Sequence, residues 1–383
     1  MQSTDPEGFK QDKRHFLYQE YLRIIRKFRP NVFVMENVTG ILSSKVNGKR
    51  IIQQILRDLQ NPSKAINGYV CVDDEPHEYR IYSLVVSGGE CKDLQSSDFI
   101  IKCEDYGIPQ ARHRVIILGV RSDLPNQPSP LVRQEHRVCV SDVVSDLPKL
   151  RSMLSKQHDS LDNWRNVIMA LEKESWLSAC EAEELRDGIK DALTNLDGTG
   201  GCGGEFVSCS SNPKAHKEWY VDKKLGGVCN HSARGHLGSD LHRYLFAACY
   251  AKLHSFSPRM RHFPEELYPE HKNVAQAVTG KMFPDRFRVQ LENSPATTVT
   301  SHISKDGHYF IHYDPCQCRS LTVREAARLQ TFPDNYFFEG GRTPQYKQVG
   351  NAVPPLLATQ IAAVVYDILC PGRSVMEDNG HTE

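Results

Sequence analysis

The run Val32-Phe33-Val34-Met35-Glu36-Asn37-Val38 constrains the fold more than any other stretch of the chain. Four apolar residues in a row, set between Arg29-Pro30 and Gly40, predict a short buried parallel strand, dry on both faces. That strand ends in a carboxylate and an amide. In open α/β sheets the carboxyl ends of strands form the crevice where ligands bind. A charge there is costly unless it is paired or used. Taken alone, the stretch favours a structural acid at Glu36, capping a helix or closing a salt bridge.

Around this strand the pattern alternates helix and strand. Leu17, Tyr21, Ile24, Ile25 and Phe28 predict one apolar stripe on a helix that starts at Arg14 and is stopped by Pro30. Helix followed by buried strand reads as the second half of a βαβ unit that lacks its first strand. A second helix is expected over 49–59, with Ile51, Ile52, Ile55, Leu56 and Leu59 inward, and strands over 79–86, 99–103 and 115–120. Gln110, Arg112 and Arg114 alternate just before the last of these, so all three would project to one side. A solvated basic edge that blocks strand pairing is the competing reading, stronger for His113 than for the alternating set.

At 383 residues the chain is long enough for two domains. Lys plus Arg (47) equals Asp plus Glu (47), so a nucleic-acid partner must be met by a local basic face rather than by the overall field. Twelve cysteines without framework spacing, and no signal peptide, predict reduced intracellular thiols. No apolar run approaches the length needed to cross a bilayer, which predicts a cytoplasmic protein with no membrane partner.

Three prolines in residues 124–130 mark a domain boundary. Residues 162–195 read as helical, anchored by Trp164, Ile168, Leu171 and Trp176, and 198–204 as a flexible break. From there to about residue 290, short elements carry His231, Arg234, His236, His242, Arg243, Arg259, Arg261, His262, Lys281, Arg286 and Arg288, interleaved with aromatics. A nucleic-acid face and an ordinary solvated surface fit that composition equally. Cys202, Cys209, Cys229 and His231 have gaps that match no compact zinc spacing, and Cys316-x-Cys318 is a lone pair. Both groups read as free thiols rather than metal ligands, with zinc the lesser alternative. Toward the end, Thr322 and Glu325 form a capping box for a helix over 323–330. A tight loop over 348–353 opens onto a helix with Leu357, Ile361, Val364, Ile368 and Leu369 inward, a place that commonly holds a polar ligand.

Four blocks, in order, resemble the DNA cytosine-5 methyltransferases: ENV at Glu36, GIPQARHR at Gly107, RSLTVREAARLQTFPD at Arg319 and QVGNAVPP at Gln348. The first helix, with Arg14, His15 and Leu17, resembles the segment that precedes the carboxylate motif. The resemblance implies an α/β fold: a partial Rossmann-like, S-adenosylmethionine-dependent methyltransferase domain plus a smaller mixed target-recognition domain. It implies a catalytic part over 1–123, recognition over 124–318, and last blocks over 319–383 whose helix returns to the catalytic domain. It further implies a cytosine flipped out of double-stranded DNA, attacked at carbon 6 by a cysteine and methylated at carbon 5 from S-adenosylmethionine. Glu36 would donate to ring N3, which needs a raised pKa in a dry site, and Arg114 would stabilise charge at O2. Asn37, Gln110 and Arg112 would meet the substrate or shape its pocket. Leu17, Asn351 and Val353 would border the cofactor.

The family's Gly-rich cofactor loop and Pro-Cys-Gln nucleophile loop are not found before Arg14. Pro315-Cys316-Gln317 lies directly before the RSLTVREAARLQTFPD block, without the apolar strand and glycines a catalytic loop needs, and reads as a chance occurrence. The expectation is a chain missing its front and inactive alone, either a truncated reading frame or one half of an enzyme whose other chain carries those motifs. A non-catalytic DNA-recognition subunit and a generic α/β ligand-binding protein are the other readings.

Overall fold

The computed structural model describes residues 17–46, 48–65, 77–87, 94–198 and 201–371. Arg14 and His15, where the first helix was expected to start, lie outside them, as do Cys71 and Cys91. The first elements are helix α1 (Leu17–Phe28), strand β1 (Val32–Val38), helix α2 (Ile51–Gln60) and strands β2 (Tyr79–Tyr82), β3 (Ile100–Lys102), β4 (Gln110–Ala111) and β5 (His113–Arg121). Then come α3 (Leu161–Met169), α4 (Glu183–Thr194), the antiparallel pair β6 (Gly203–Ser208) and β7 (Gly227–Ser232), α5 (Gly238–His254) and β8 (Ala296–Thr297). Helices α6 (Val323–Leu329), α7 (Arg342–Asn351) and α8 (Pro355–Leu369) close the chain.

Two compact units share these elements. One takes Met1–Tyr106, His113–Arg133 and Leu357–Glu383; the other takes Gly107–Arg112 and Gln134–Leu356. The expected division at 123/124 and 318/319 is therefore displaced. Hydrogen bonds explain the first shift: Leu131 N donates to Leu84 O at 2.8 Å, and the Asn126 side-chain Nδ2 donates to Ile368 O at 3.0 Å, so the proline-rich segment stays on the first unit. Core packing explains the second. Leu321, Ala326, Leu329, Tyr346 and Val349 share one apolar cluster with Val140, Val143 and Val299. Residues 319–356 thus belong with the region expected to recognise DNA, which is the longer unit rather than the smaller one.

In the first unit β5 is the hub. It pairs with β1, β2 and β3, and every pairing is antiparallel, not parallel as expected. Apolar runs report burial on two faces and say nothing of strand direction, and burial is what β5 shows: Val115 to Leu118 and Val120 are all fully enclosed. Strand β1 is buried on one face only. Phe33 and Met35 face the core while Val34 and Val38 are exposed, the alternation of a half-buried strand. Gly119 allows the close fit on that face, because a Cβ there would run into the Phe33 ring.

Helices α1 and α2 cover this sheet. All five predicted inward residues of α2 are buried, each contributing roughly 1.5–3 kcal/mol by removal from water. Helix α1 is rotated from expectation. Leu22 and Ile25 are buried, whereas Leu17, Ile24 and Phe28 are exposed at 62, 52 and 68%. Two apolar faces compete on this helix, and the one bearing Leu22 packs.

The second unit has two cores. One gathers Trp164, Ile168, Leu171 and Trp176 as expected, with Ile189 of α4 and Leu241, Tyr244 and Leu245 of α5. The other holds the C-terminal blocks. Residues 348–351 are the last turn of α7 rather than a loop, and only Ala352 to Pro354 interrupt the path to α8. Counted as one helix, Arg342–Leu369 is long and apolar enough to cross a membrane, contrary to expectation. The interruption divides it, and the fifteen residues of α8 extend only about 22 Å against a bilayer core of about 30 Å.

Candidate active site

Glu36 and Arg114 are brought together. Strand register sets Glu36 opposite Ile116 and Val38 opposite Arg114, so the two side chains are diagonal neighbours on one face. Arg114 Nε forms an ion pair with Glu36 Oε1 at 2.9 Å, and its Nη1 donates to His113 O at 2.8 Å. The side chains are 15% (Arg114) and 32% (Glu36) exposed. Among the described residues, Glu36 Oε2 and Arg114 Nη2 carry no hydrogen bond, leaving a free acceptor beside a free donor at the end of a strand. The expected dry setting is not what surrounds Glu36, since a third of its side chain meets water.

Asn37 is not part of this pair. Strand alternation turns it to the opposite face, where its Oδ1 accepts from Val38 N at 2.8 Å. His113, the residue given to a protective edge, bonds Glu104 at 2.7 Å.

Gln110 and Arg112 belong to the other unit, and both are buried, at 0 and 3% exposure. Both side chains, expected to meet a substrate, are engaged within that unit. Gln110 Nε2 donates to Leu329 O and to Gln330 Oε1, both at 2.9 Å, while its Oε1 accepts from Val299 N at 2.7 Å. Arg112 Nη1 donates to Val299 O at 2.9 Å and, at 3.4 Å, to Gly350 O. Gln330 completes the knot by donating to Val349 O at 2.7 Å. Strand β4 adds parallel pairing with β8. Three of the four blocks are thereby stitched into one structure by amide and guanidinium groups.

Gln330 and Gly350 were not singled out from the sequence. Gln330 had little signal, one polar residue among Arg328, Thr331 and Asp334. Gly350 had none: a Cβ there would meet the backbone of Thr300 and Ser301, a contact made between distant segments.

The residues expected to border a cofactor are all open to solvent. Leu17 lies on the first unit, and Asn351 and Val353 on the second. Cys316 sits in a short turn in the second unit, with its N–H donating to Asp314 Oδ1 at 3.0 Å. Burial and the Asp314 carboxylate push its thiol up to about 11, the reverse of what a nucleophile requires. His231 has both ring nitrogens engaged, on Pro148 O at 2.8 Å and Thr322 Oγ1 at 3.0 Å, so it is not disposed to hold a metal with Cys229. Among the described residues no group of histidines, cysteines and carboxylates is placed to bind one.

The family model for C-5 cytosine-specific DNA methylases matches residues 3–65 and 95–367. A type II methyltransferase of Bacillus paralicheniformis, M.Bpa9945I, is 35% identical over 94% of this chain and 65% of its own length. The type II methyltransferase M.DdeI of Desulfomicrobium norvegicum is 28% identical over 92% of this chain and 67% of its own. The chain therefore spans about two thirds of the curated relatives it matches. Among solved structures, a DNA modification methyltransferase encoded within a prophage of E. coli aligns over 94% of this chain and 75% of its own, at 18% identity and a TM-score of 0.48. The family match takes in both units and every one of the four blocks, and the chain belongs to the C-5 cytosine-specific DNA methylase family.

Proposed function

We propose that this chain carries the acid and the clamp of a DNA cytosine-5 methyltransferase, acting on a cytosine flipped from duplex DNA. The observation that supports this best is the Glu36–Arg114 ion pair, closed at 2.9 Å and still partly open to water at the end of a strand. Cytosine presents N3 and O2 on adjacent ring positions. A protonated Glu36 donates to N3 while Arg114 donates to O2, and both interactions strengthen as negative charge builds on the ring. Gln110 and Arg112 serve by holding the buried knot of their own unit rather than by touching the base. S-adenosylmethionine supplies the methyl group when bound, and exposed Leu17, Asn351 and Val353 are free to border it.

The nucleophile in this reading comes from a separate segment, because burial and the Asp314 carboxylate push the Cys316 thiol up to about 11, away from the thiolate a nucleophile needs. The isolated chain then transfers no methyl group. Incubation with tritiated S-adenosylmethionine and mixed-sequence duplex DNA tests this, and incorporation by the chain alone, lost in Cys316→Ser, would overturn it. In an assembly completed by a segment bearing the Gly-rich and Pro-Cys-Gln loops, Glu36→Gln is expected to lower turnover by roughly 10²- to 10⁴-fold. Unchanged turnover there would remove Glu36 from the chemistry.

A further inference from the structure

The cationic residues scattered through 231–288 are sorted by the fold into two kinds. His231, Arg234, His236 and Arg243 are buried, and Arg286 and Arg288 are ion-paired with Asp306 and Asp285. Arg259, Arg261 and Lys281 are exposed, and none has a carboxylate partner among the described residues. Residues 250–262 and 279–284, which hold these three together with exposed Lys252, contain no aspartate or glutamate. The two segments are tied to each other: Met260 N donates to Pro284 O at 2.6 Å.

An aromatic column reaches the surface at the same place. Phe246 in the core touches Tyr250, Tyr250 stacks on His262 with ring centroids 5.3 Å apart, and exposed Phe256 meets both. Beside it, Met282 and Phe283 are exposed at 38 and 54%. Phe283 has φ of 48° and so sits in the left-handed region, which costs a residue with a Cβ roughly 1–2 kcal/mol. Its ring obtains little burial in return. A strained backbone that presents an aromatic ring to solvent, in a segment tied to one carrying cations without carboxylate partners, is a surface prepared for a partner.

We propose that this face docks duplex DNA, with Arg259, Arg261 and Lys281 on phosphates and the Met282–Phe283 tip as an apolar wedge against a base step. Charge complementarity selects a polyanion. The apolar tip suits base edges and stacked faces, which phosphate contacts alone leave unread. The inference rests on the family activity proposed above, and it assigns the residues that hold the DNA.

Fluorescence anisotropy of a labelled mixed-sequence duplex, measured across a salt series, tests it on the full chain. The triple variant R259A/R261A/K281A is expected to weaken binding at least roughly tenfold near 0.1 M salt and to flatten the salt dependence by about two to three units of slope. Phe283→Asn keeps a residue that tolerates the left-handed backbone, so folding is preserved. It is expected to weaken binding by roughly 5- to 100-fold with the slope unchanged. Wild-type binding with both variants unaffected would overturn the wedge and the docking face while leaving the methyltransferase reading intact. Failure of the wild-type chain to bind any duplex would count against both. Self-association lost in Phe283→Asn, with DNA binding untouched, would assign the face to a protein contact and overturn the proposal.

Discussion

Glu36–Arg114 and Glu325–Arg319 are the same two residue types at nearly the same separation, 2.9 and 2.6 Å, yet they are built in opposite ways. In the second pair each side chain is 1% exposed, and every acceptor is taken. Arg319 donates to both Glu325 oxygens, at 2.6 and 2.7 Å, and Thr322 N donates to one of them as the reciprocal half of the capping box. Burial alone would raise this carboxyl, but the Arg319 charge and hydrogen bonds pull it well below the usual carboxylate range. The first pair keeps a free acceptor, a free donor and contact with water. Ion pairing therefore does not separate structural residues from chemical ones. In the proposed reading, accessibility and spare hydrogen-bonding capacity do.

Breaking the enclosed pair should have the largest effect. Arg319→Met leaves Glu325 buried without its partner and is expected to cost about 3–5 kcal/mol in denaturant unfolding. A loss under about 1 kcal/mol would show that the enclosed pair is not structural.

Acid should expose the same contrast. Burial pushes His231 and His312 down to about 4, so between roughly pH 6.5 and 4 the unfolded chain binds protons that the folded chain does not. Their contribution is intact above about pH 6.5 and falls as pH drops through that window, by an order of 3 kcal/mol for each imidazole. Glu325, with its folded value lowered, adds its own loss only below the ordinary carboxylate range. Chemical denaturation at stepped pH measures this, and stability that stays flat from pH 7 to 4.5 would contradict the enclosed imidazoles.

Gly350→Ala drives a methyl group into the backbone of residues 300–301, and should cost about 1–3 kcal/mol by thermal melt. The smallest change is expected at the accessible pair, where Glu36→Gln alters stability by less than about 1 kcal/mol. A large loss there would turn Glu36 back into a structural acid.

The sequence was most legible where apolar spacing met a single packed face. Helix α2, the anchors from Trp164 to Trp176 and the capping box at Thr322 all stand where the pattern placed them. Helix α5 was illegible because it is enclosed on most sides, from Leu241 to Ala251, which leaves no polar stripe to give a period. Strand direction was misread because the same Val/Ile runs serve either sense once both faces are covered. At the site, alternation suggested that Gln110, Arg112 and Arg114 act together, but the chain crosses from one unit to the other between Arg112 and His113. Such a crossing depends on β4 finding β8, nearly two hundred residues away, and no local pattern encodes it.

That crossing, with the return at Leu357, has a consequence for biosynthesis. Neither unit is a continuous piece of chain, and the first gains Leu357, Ile361 and Ile368 only from the final helix. On the ribosome, the segment with Glu36 and Arg114 emerges early but must wait while more than two hundred residues of the second unit are made. Domains generally fold as units during synthesis, N-terminal first. Here the order is inverted: the later unit has all its parts first, and the earlier one is completed only when α8 has followed it.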